Sequence, residues 1–237
     1  FLAIRPRLRA CIATRLDGSG SDRPVSQRRM SSGSRRQSER MTTITLVLGG
    51  VRSGKSAWAE QRAAASGRQV LYVATATAGD DEMTARIAAH RAARPAHWRT
   101  IEAAHDLAAA ITAEARAGEI ALVDCLTLWV SNLIMREFGE GADVALADAA
   151  ALRLFEARVI AAANGLLAAA HLAEVDLVVV SNEVGMGLVP PFPLGRVYRD
   201  LLGRVNQVVA SRADPVVLML AGLPLDLRRM GPETLRP

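Results

Sequence analysis

The chain has 237 residues, half of them hydrophobic and 22% charged, enough to bury one sizeable core, which argues for one α/β domain plus a tail. No apolar run approaches the roughly 18 residues of a membrane helix, so no membrane partner is expected. The net charge of +5 sits at the front: residues 1–40 hold ten arginines against Asp17, Asp22 and Glu39, a net of +7, leaving a −2 remainder whose scarcity of aromatics and lack of a basic stripe argue against nucleic acid.

Residues 1–40, rich in Arg, Ser and Gly without apolar periodicity, read as a disordered tail. They lack the continuous apolar stretch of a secretory signal, although a transit peptide would share their Arg- and Ser-rich composition. The expectation is an over-extended reading frame with Met41 or Met30 as the natural start, and residues 41–237 as the single working domain.

The first predicted strand is Ile44–Leu48, ending in two glycines, and a helix follows over Lys55–Ser66, closed by Gly67. Gln69–Ala74 reads as a strand. A helix is predicted from Asp81 to Arg94, stopped by Pro95, then an extended piece at Trp98–Ile101 and an Ala-rich helix near Ala104–Arg116. Glu119–Val123 is a buried-type strand. The chain then reads as mostly helical to Leu172, with a break at Gly139–Gly141. Strand Asp176–Val180, a long loop Ser181–Phe192, a helix near Pro193–Arg212 and a last strand Pro215–Leu220 complete the order. Strands alternating with helices imply a mainly parallel sheet covered on both faces.

The two cysteines, Cys11 in the tail and Cys125 after a strand, do not suggest a disulfide, and a reducing cytoplasm fits. Lysine usage is more telling. Of 29 basic residues only Lys55 is lysine, which points to a role arginine cannot fill.

Lys55 belongs to Gly49-Gly-Val-Arg-Ser-Gly-Lys-Ser56, a full Gly-x4-Gly-Lys-Ser pattern placed after a strand and opening a helix. In that setting Gly49, Gly50, Val51, Arg52, Ser53 and Gly54 present backbone N–H groups to phosphate, Lys55 reaches β- and γ-oxygens, and the Ser56 hydroxyl can ligate Mg²⁺. Such a loop needs an acidic residue on a neighbouring strand to hold the metal. Asp124 is the candidate, with N-capping of the helix that begins at Leu126 as its alternative or additional role. The loop establishes phosphate binding without separating a kinase from a recombinase-like motor or a GTP switch.

On the helix predicted over Asp81–Arg94, the residues Arg86, His90 and Arg94 are four apart and share a face. Two guanidiniums would favour the neutral, nucleophilic imidazole, able to attack an α-phosphoryl group. From the residues alone, a solvated basic face with an incidental histidine is the competing reading. His97, His105 and His171 read as structural.

Taken together, these residues resemble the bifunctional adenosylcobinamide kinase/adenosylcobinamide-phosphate guanylyltransferase family of cobalamin biosynthesis. The resemblance rests on Gly49–Ser56, Tyr72-Val-Ala-Thr75, Asp81-Glu-Met with Arg86-Ile and His90, Arg94-Pro95 with Trp98, Ser181-Asn-Glu-Val-Gly-Met-Gly-Leu-Val-Pro190, Arg199-Asp200 and Gly203-Arg-Val-Asn-Gln207, spanning about Ile44 to Leu225. It implies a RecA-like P-loop NTPase sheet, a homotrimer, and two reactions at one nucleotide site. The first is phosphorylation of adenosylcobinamide by ATP or GTP. The second is transfer of GMP from GTP to adenosylcobinamide phosphate through a guanylylated His90, with release of pyrophosphate. Ala74, Thr75, Ala76, Arg91, Ala92, Ala93, Arg94, Glu102 and Asp124 would complete the nucleotide site with Gly49–Ser56, and Ser56 and Asp124 would hold Mg²⁺. The Asn182–Pro190 loop would line the corrinoid side or a subunit boundary. One departure is visible: Pro191-Phe192 stand where the family usually shows an acidic residue and asparagine. A kinase-only enzyme on another small alcohol and a RecA-like nucleotide-dependent binding module are the rival readings.

Overall fold

In the computed structural model, residues 41–77, 91, 92, 94–139 and 148–230 are described. Seven strands form one sheet: β1 (Ile44–Gly49), β2 (Val70–Ala74), β3 (Arg99–Glu102), β4 (Ile120–Asp124), β5 (Asp176–Asn182), β6 (Val216–Leu220) and β7 (Leu223–Asp226). Their order across the sheet is β3-β2-β4-β5-β1-β6-β7, parallel throughout except for the β6–β7 pair. Strand β5 lies between β1, which feeds the phosphate loop, and β4, which ends in Asp124; this inserted strand makes the arrangement RecA-like.

The central strands are apolar on both faces because helices cover both. Successive side chains alternate between two cores. Leu46, Leu48, Leu71, Val73, Ala121, Val123, Leu177 and Val179 pack beneath α2 (Leu107–Glu114), α3 (Leu126–Phe138), α4 (Ala149–Leu172) and α5 (Pro193–Arg212). The opposite parity, Val47, Val70, Tyr72, Ile120, Leu122, Val178, Val180 and Val217, packs with Ala59 and Ala63 of α1 (Lys55–Ala64) and with Trp98. A short α6 (Leu227–Met230) closes the described chain.

Local chemistry accounts for the ends of these elements. The Asp106 and Asp148 carboxylates accept from Ala109 N (3.0 Å) and Ala150 N (3.2 Å), capping α2 and α4. Gly139, with φ 81°, ends α3 where a glycine break was predicted. Arg228 donates to the carbonyls of Ala213 (2.7 Å) and Ala210 (2.5 Å), satisfying the exposed end of α5. At the edge away from the phosphate loop, Arg68 pairs with Asp176 and donates to the carbonyls of Gly118 and Glu119, both at 2.6 Å.

Most predicted strands and helices fall within a residue or two of the observed ones. The predicted helix from Asp81 to Arg94 lies outside the described residues up to His90. Arg91 and Ala92 are helical, but Arg94 sits in a bend rather than on the helix. The β6–β7 hairpin was not expected; it turns through Ala221 (φ 51°) and Gly222 (φ 82°), the paired positive angles of a tight hairpin. No helix among the described residues is long and apolar enough to cross a membrane.

Candidate active site

Strand parity builds the site. On the α1 face, β2 runs Val70, Tyr72, Ala74; β4 runs Ile120, Leu122, Asp124; and β5 runs Val178, Val180, Asn182. The apolar members fill the core under α1, and at the end of β4 Asp124 meets Ser56 in the first turn of that helix. Register places Ala74 beside Asp124 and Asn182 beside Gly49. A cavity of about 280 Å³ opens at these strand ends, bounded by the phosphate loop on one side and by Arg91, Arg94 and Glu102 on the other.

The phosphate loop is fixed by its neighbours. Gly54 has φ 93°, in the left-handed region, and caps α1 with no side-chain hydrogen bond and no acidic residue in the first turn, so the helix N-terminus carries its positive end into the loop. Gly49 is required by close approach. A Cβ there would lie 2.4 Å from Ser53 Oγ and 2.7 Å from the Met219 carbonyl oxygen. The β6–β7 turn braces the loop through Gly222 N donating to Ser53 O at 3.1 Å. Lys55 Nζ donates to the Gly50 carbonyl at 3.1 Å, folded back over the loop it serves.

Asp124 is gripped from two sides. Ser56 Oγ lies 3.4 Å from its Oδ1, and the Tyr72 hydroxyl donates to its Oδ2 at 2.7 Å. Tyr72 is almost fully buried, and burial, reinforced by the Asp124 charge, raises its pKa far above the ordinary phenol value, so it remains a donor. The Arg94 guanidinium lies 3.4 Å from the Tyr72 ring centroid, stacked on its face at the cavity wall. The alternative role for Asp124, capping α3, does not occur: Cys125 occupies the N-cap position without a side-chain cap, and both Asp124 oxygens face the loop and Tyr72. The Cys125 thiol is pushed above its ordinary pKa by burial and then by Asp124.

Of the residues expected to hold nucleotide, Val51, Arg52, Lys55, Ser56, Ala74, Ala76, Arg91, Arg94, Glu102 and Asp124 line the cavity together. Gly49, Gly50, Ser53 and Gly54 lie behind as the loop backbone. Thr75 is fully buried and turned inward: its Oγ1 accepts from Cys125 N (2.7 Å) and donates to Cys125 O (2.8 Å). Ala92 is exposed and not in the wall. His90 and Ala93 lie outside the described residues.

Sequence reasoning did not single out Tyr72, Thr100, Cys125, Thr127, Leu128 or Asn182 as cavity residues. Parity could have found Tyr72 and Asn182, since each stands an even number of residues from a strand-end site residue or loop neighbour. It also missed Asn132, whose Nδ2 donates to Thr75 O (2.8 Å) and Ala104 O (3.1 Å), tying the segments after β2 and β3 together. Beyond Asn182, the loop carries exposed Met186, Leu188, Val189 and Phe192, and Arg196 donates to the carbonyls of Pro190 (3.1 Å) and Pro191 (2.8 Å).

A RecA-like sheet with a glycine-lined anion loop and a strand-end carboxylate facing its serine defines a P-loop nucleotide-binding enzyme. The profile of the cobinamide kinase / cobinamide phosphate guanyltransferase family (CobU) matches residues 45–227. The chain belongs to that family. It is 45% identical over 185 residues to the bifunctional adenosylcobalamin biosynthesis protein CobP of Pseudomonas aeruginosa, covering 77% of this chain and 96% of that protein. It is 42% identical to the bifunctional adenosylcobalamin biosynthesis protein CobU of Escherichia coli, covering 78% and 99%. Among solved structures, the RadB recombinase superposes with a TM-score of 0.41 at 16% identity over 76% of this chain and 74% of that one.

Proposed function

We propose that the protein phosphorylates adenosylcobinamide with ATP or GTP and then transfers GMP from GTP to adenosylcobinamide phosphate through a guanylylated His90, yielding adenosylcobinamide-GDP and pyrophosphate. Membership of the family supports the reaction pair. The observation that carries it to these residues is the convergence of Lys55, Ser56 and Asp124 with Arg91, Arg94 and Glu102 around one cavity.

The donor set suits Mg²⁺: Ser56 Oγ and Asp124 Oδ1 are hard oxygens facing each other, and Tyr72 occupies the other carboxylate oxygen. Among the described residues no group of three or more His, Cys, Asp or Glu could hold a metal ion. Ser56 and Asp124 would therefore share the ion with phosphate oxygens, and its chemistry when bound is neutralisation of β- and γ-phosphate charge.

In the kinase step, Lys55 and the α1 N-terminus hold the triphosphate in line. The acceptor hydroxyl oxygen bonds to Pγ as the Pβ–O–Pγ bridge breaks, the electron pair leaves on the nucleoside diphosphate, and the hydroxyl proton passes to solvent. In the transferase step, a nitrogen of neutral His90 bonds to Pα as pyrophosphate departs. A phosphate oxygen of the corrinoid then bonds to that phosphorus, and the P–N bond breaks to restore the imidazole. Arg91, one residue on from His90, already faces the cavity, which supports this assignment.

We further propose that residues 41–237 are the catalytic unit, that it assembles as a homotrimer working in the cytoplasm, and that the exposed apolar loop beyond Asn182 faces the corrinoid or a subunit boundary. His90→Ala should abolish GMP incorporation from GTP, read by intact mass, while leaving kinase turnover measurable. Undiminished incorporation in that variant would reject His90 as the nucleophile.

A further inference from the structure

Four strands end at the cavity on the α1 face, and their last residues are Ala74, Asp124, Asn182 and Gly49. The reactions above give Asn182 no role, yet its surroundings fix it closely. Its backbone N–H donates to Thr127 Oγ1 at 2.8 Å, and its carbonyl accepts from Asn206 Nδ2 at 3.0 Å. The next N–H, of Glu183, donates to the Gly49 carbonyl at 3.1 Å, so the start of the phosphate loop and the end of β5 are joined.

The side-chain amide is treated differently. It makes no hydrogen bond to any described residue, and Oδ1 is buried without a partner. With the backbone fixed on both sides, Nδ2 has no acceptor among the described residues and remains a donor available to an oxygen of a ligand. Asn182 lines the cavity, and with Oδ1 buried, Nδ2 is the polar atom offered to it.

Sheet order indicates which part of the ligand it meets. Ala74, Arg91 and Glu102 form the wall on the β2 and β3 side, where a nucleoside and its α-phosphate would lie. Asp124 on β4 is the carboxylate between. Asn182 on β5 stands beyond it, next to Gly49 and the start of the phosphate loop, whose Lys55 and Ser56 would meet the terminal phosphates. We propose that Asn182 is a catalytic residue of the kinase step, donating from Nδ2 to a γ-phosphoryl oxygen as that group passes to the acceptor hydroxyl. Being neutral, the amide follows the moving group without holding it, whereas Lys55 holds charge throughout.

The proposal rests on the two-reaction reading and divides those reactions, since the γ-phosphorus is attacked in one and the α-phosphorus in the other. The test uses the full chain as wild type, Asn182→Ala and Asn182→Asp. Kinase kcat and KM are measured with ATP, and the single-turnover rate of GMP incorporation with GTP. Loss of one donor to a charged oxygen should lower kinase kcat about ten- to a hundredfold. KM for ATP should move less than about threefold, so that the ratio of kinase to GMP incorporation falls at least about tenfold. The aspartate variant should fall further, because a carboxylate repels the phosphoryl oxygens. Equal loss of both reactions, or loss of neither, overturns the proposal and leaves Asn182 as a strand terminus. Where the alanine variant melts early, Asn182→Ser is read by the same ratio. A wild type that incorporates GMP without kinase turnover would instead overturn the functional reading, and this proposal with it.

Discussion

Tyr72→Phe removes a single oxygen from the site and leaves everything else in place. The side chain is 2% exposed, so the ring keeps its burial, and the Arg94 stack at 3.4 Å needs only the ring face. What disappears is the 2.7 Å hydrogen bond to Asp124 Oδ2. A hydrogen bond to a charged acceptor contributes about 1.5–3 kcal/mol, and water entering from the cavity would restore part of it. A net loss of about 1–2 kcal/mol follows, which for a domain of this size lowers Tm by roughly 2–8 °C. The functional effect is larger. Asp124 loses the partner that turns Oδ1 toward Ser56, and at the proposed Mg²⁺ site removing such an outer partner should weaken metal affinity about ten- to a hundredfold. The Mg²⁺ concentration for half-maximal kinase velocity should therefore rise by about that factor, with kcat at saturating Mg²⁺ recovering to within a few-fold of wild type. Mn²⁺ binding in the presence of GTP, followed by electron paramagnetic resonance, should weaken in parallel. A variant with lowered Tm but unchanged Mg²⁺ and Mn²⁺ dependence would show that Tyr72 only packs, and would refute the positioning argument.

Two further outcomes follow from the same neighbourhood. Gly49→Ala should destabilise the fold by about 1–3 kcal/mol and abolish nucleotide binding, because its Cβ meets the Met219 carbonyl, which cannot move aside, and any relief displaces the phosphate loop; thermal melting with and without GTP reads both, and an unshifted melt with intact GTP stabilisation would contradict it. The chain's two tyrosines, Tyr72 and Tyr198, both have raised pKa values, Tyr72 by burial and the Asp124 charge and Tyr198 pushed up to about 12 chiefly by burial. In the unfolded chain both ionise near about 10. Above that pH the unfolded state therefore binds fewer protons than the folded one, and stability falls as pH rises, with no contribution to pH dependence below it. Phenolate absorbance should appear together with loss of circular dichroism, and ionisation of either tyrosine near pH 10 in a still-folded protein would oppose the burial argument.

The phosphate loop and Asp124 were legible in sequence because each is a local signal: a glycine pattern between strand and helix, and a carboxylate after an apolar run. For Tyr72 and Asn182 alternation along the strand carries the face but not the neighbour, because the register that brings each to its partner joins strands separated by about 50 residues or more, and no window of sequence carries it. The β6–β7 hairpin escaped for a different reason. Its turn needs two positive φ angles, and Ala221 at the first position is not a residue that advertises one, so only Gly222 was visible as punctuation. Thr75 shows the limit of reading a site from a contiguous stretch. Between Ala74 and Ala76 it points inward, where its hydroxyl holds the Cys125 backbone that follows Asp124.

These placements divide the work of the site. Of the groups assigned to the γ-phosphoryl end or its support, Tyr72, Asp124 and Asn182 share one strand parity, and Lys55 and Ser56 open the helix packed on that face. A one-residue slip of β5 against β4 would turn Asn182 toward the α3 and α5 core and bring Ser181, now fully buried on that side, to the cavity. The groups proposed for the kinase step are thus tied to the same registers that stabilise the fold. The proposed nucleophile for Pα, His90, directly precedes Arg91 in the sequence instead. Under the proposed reaction pair, attack at Pγ and attack at Pα, two atoms separated by Pβ, can share one nucleotide cavity because the groups assigned to the terminal phosphate and the residue assigned to the α-phosphate come from separate parts of the chain.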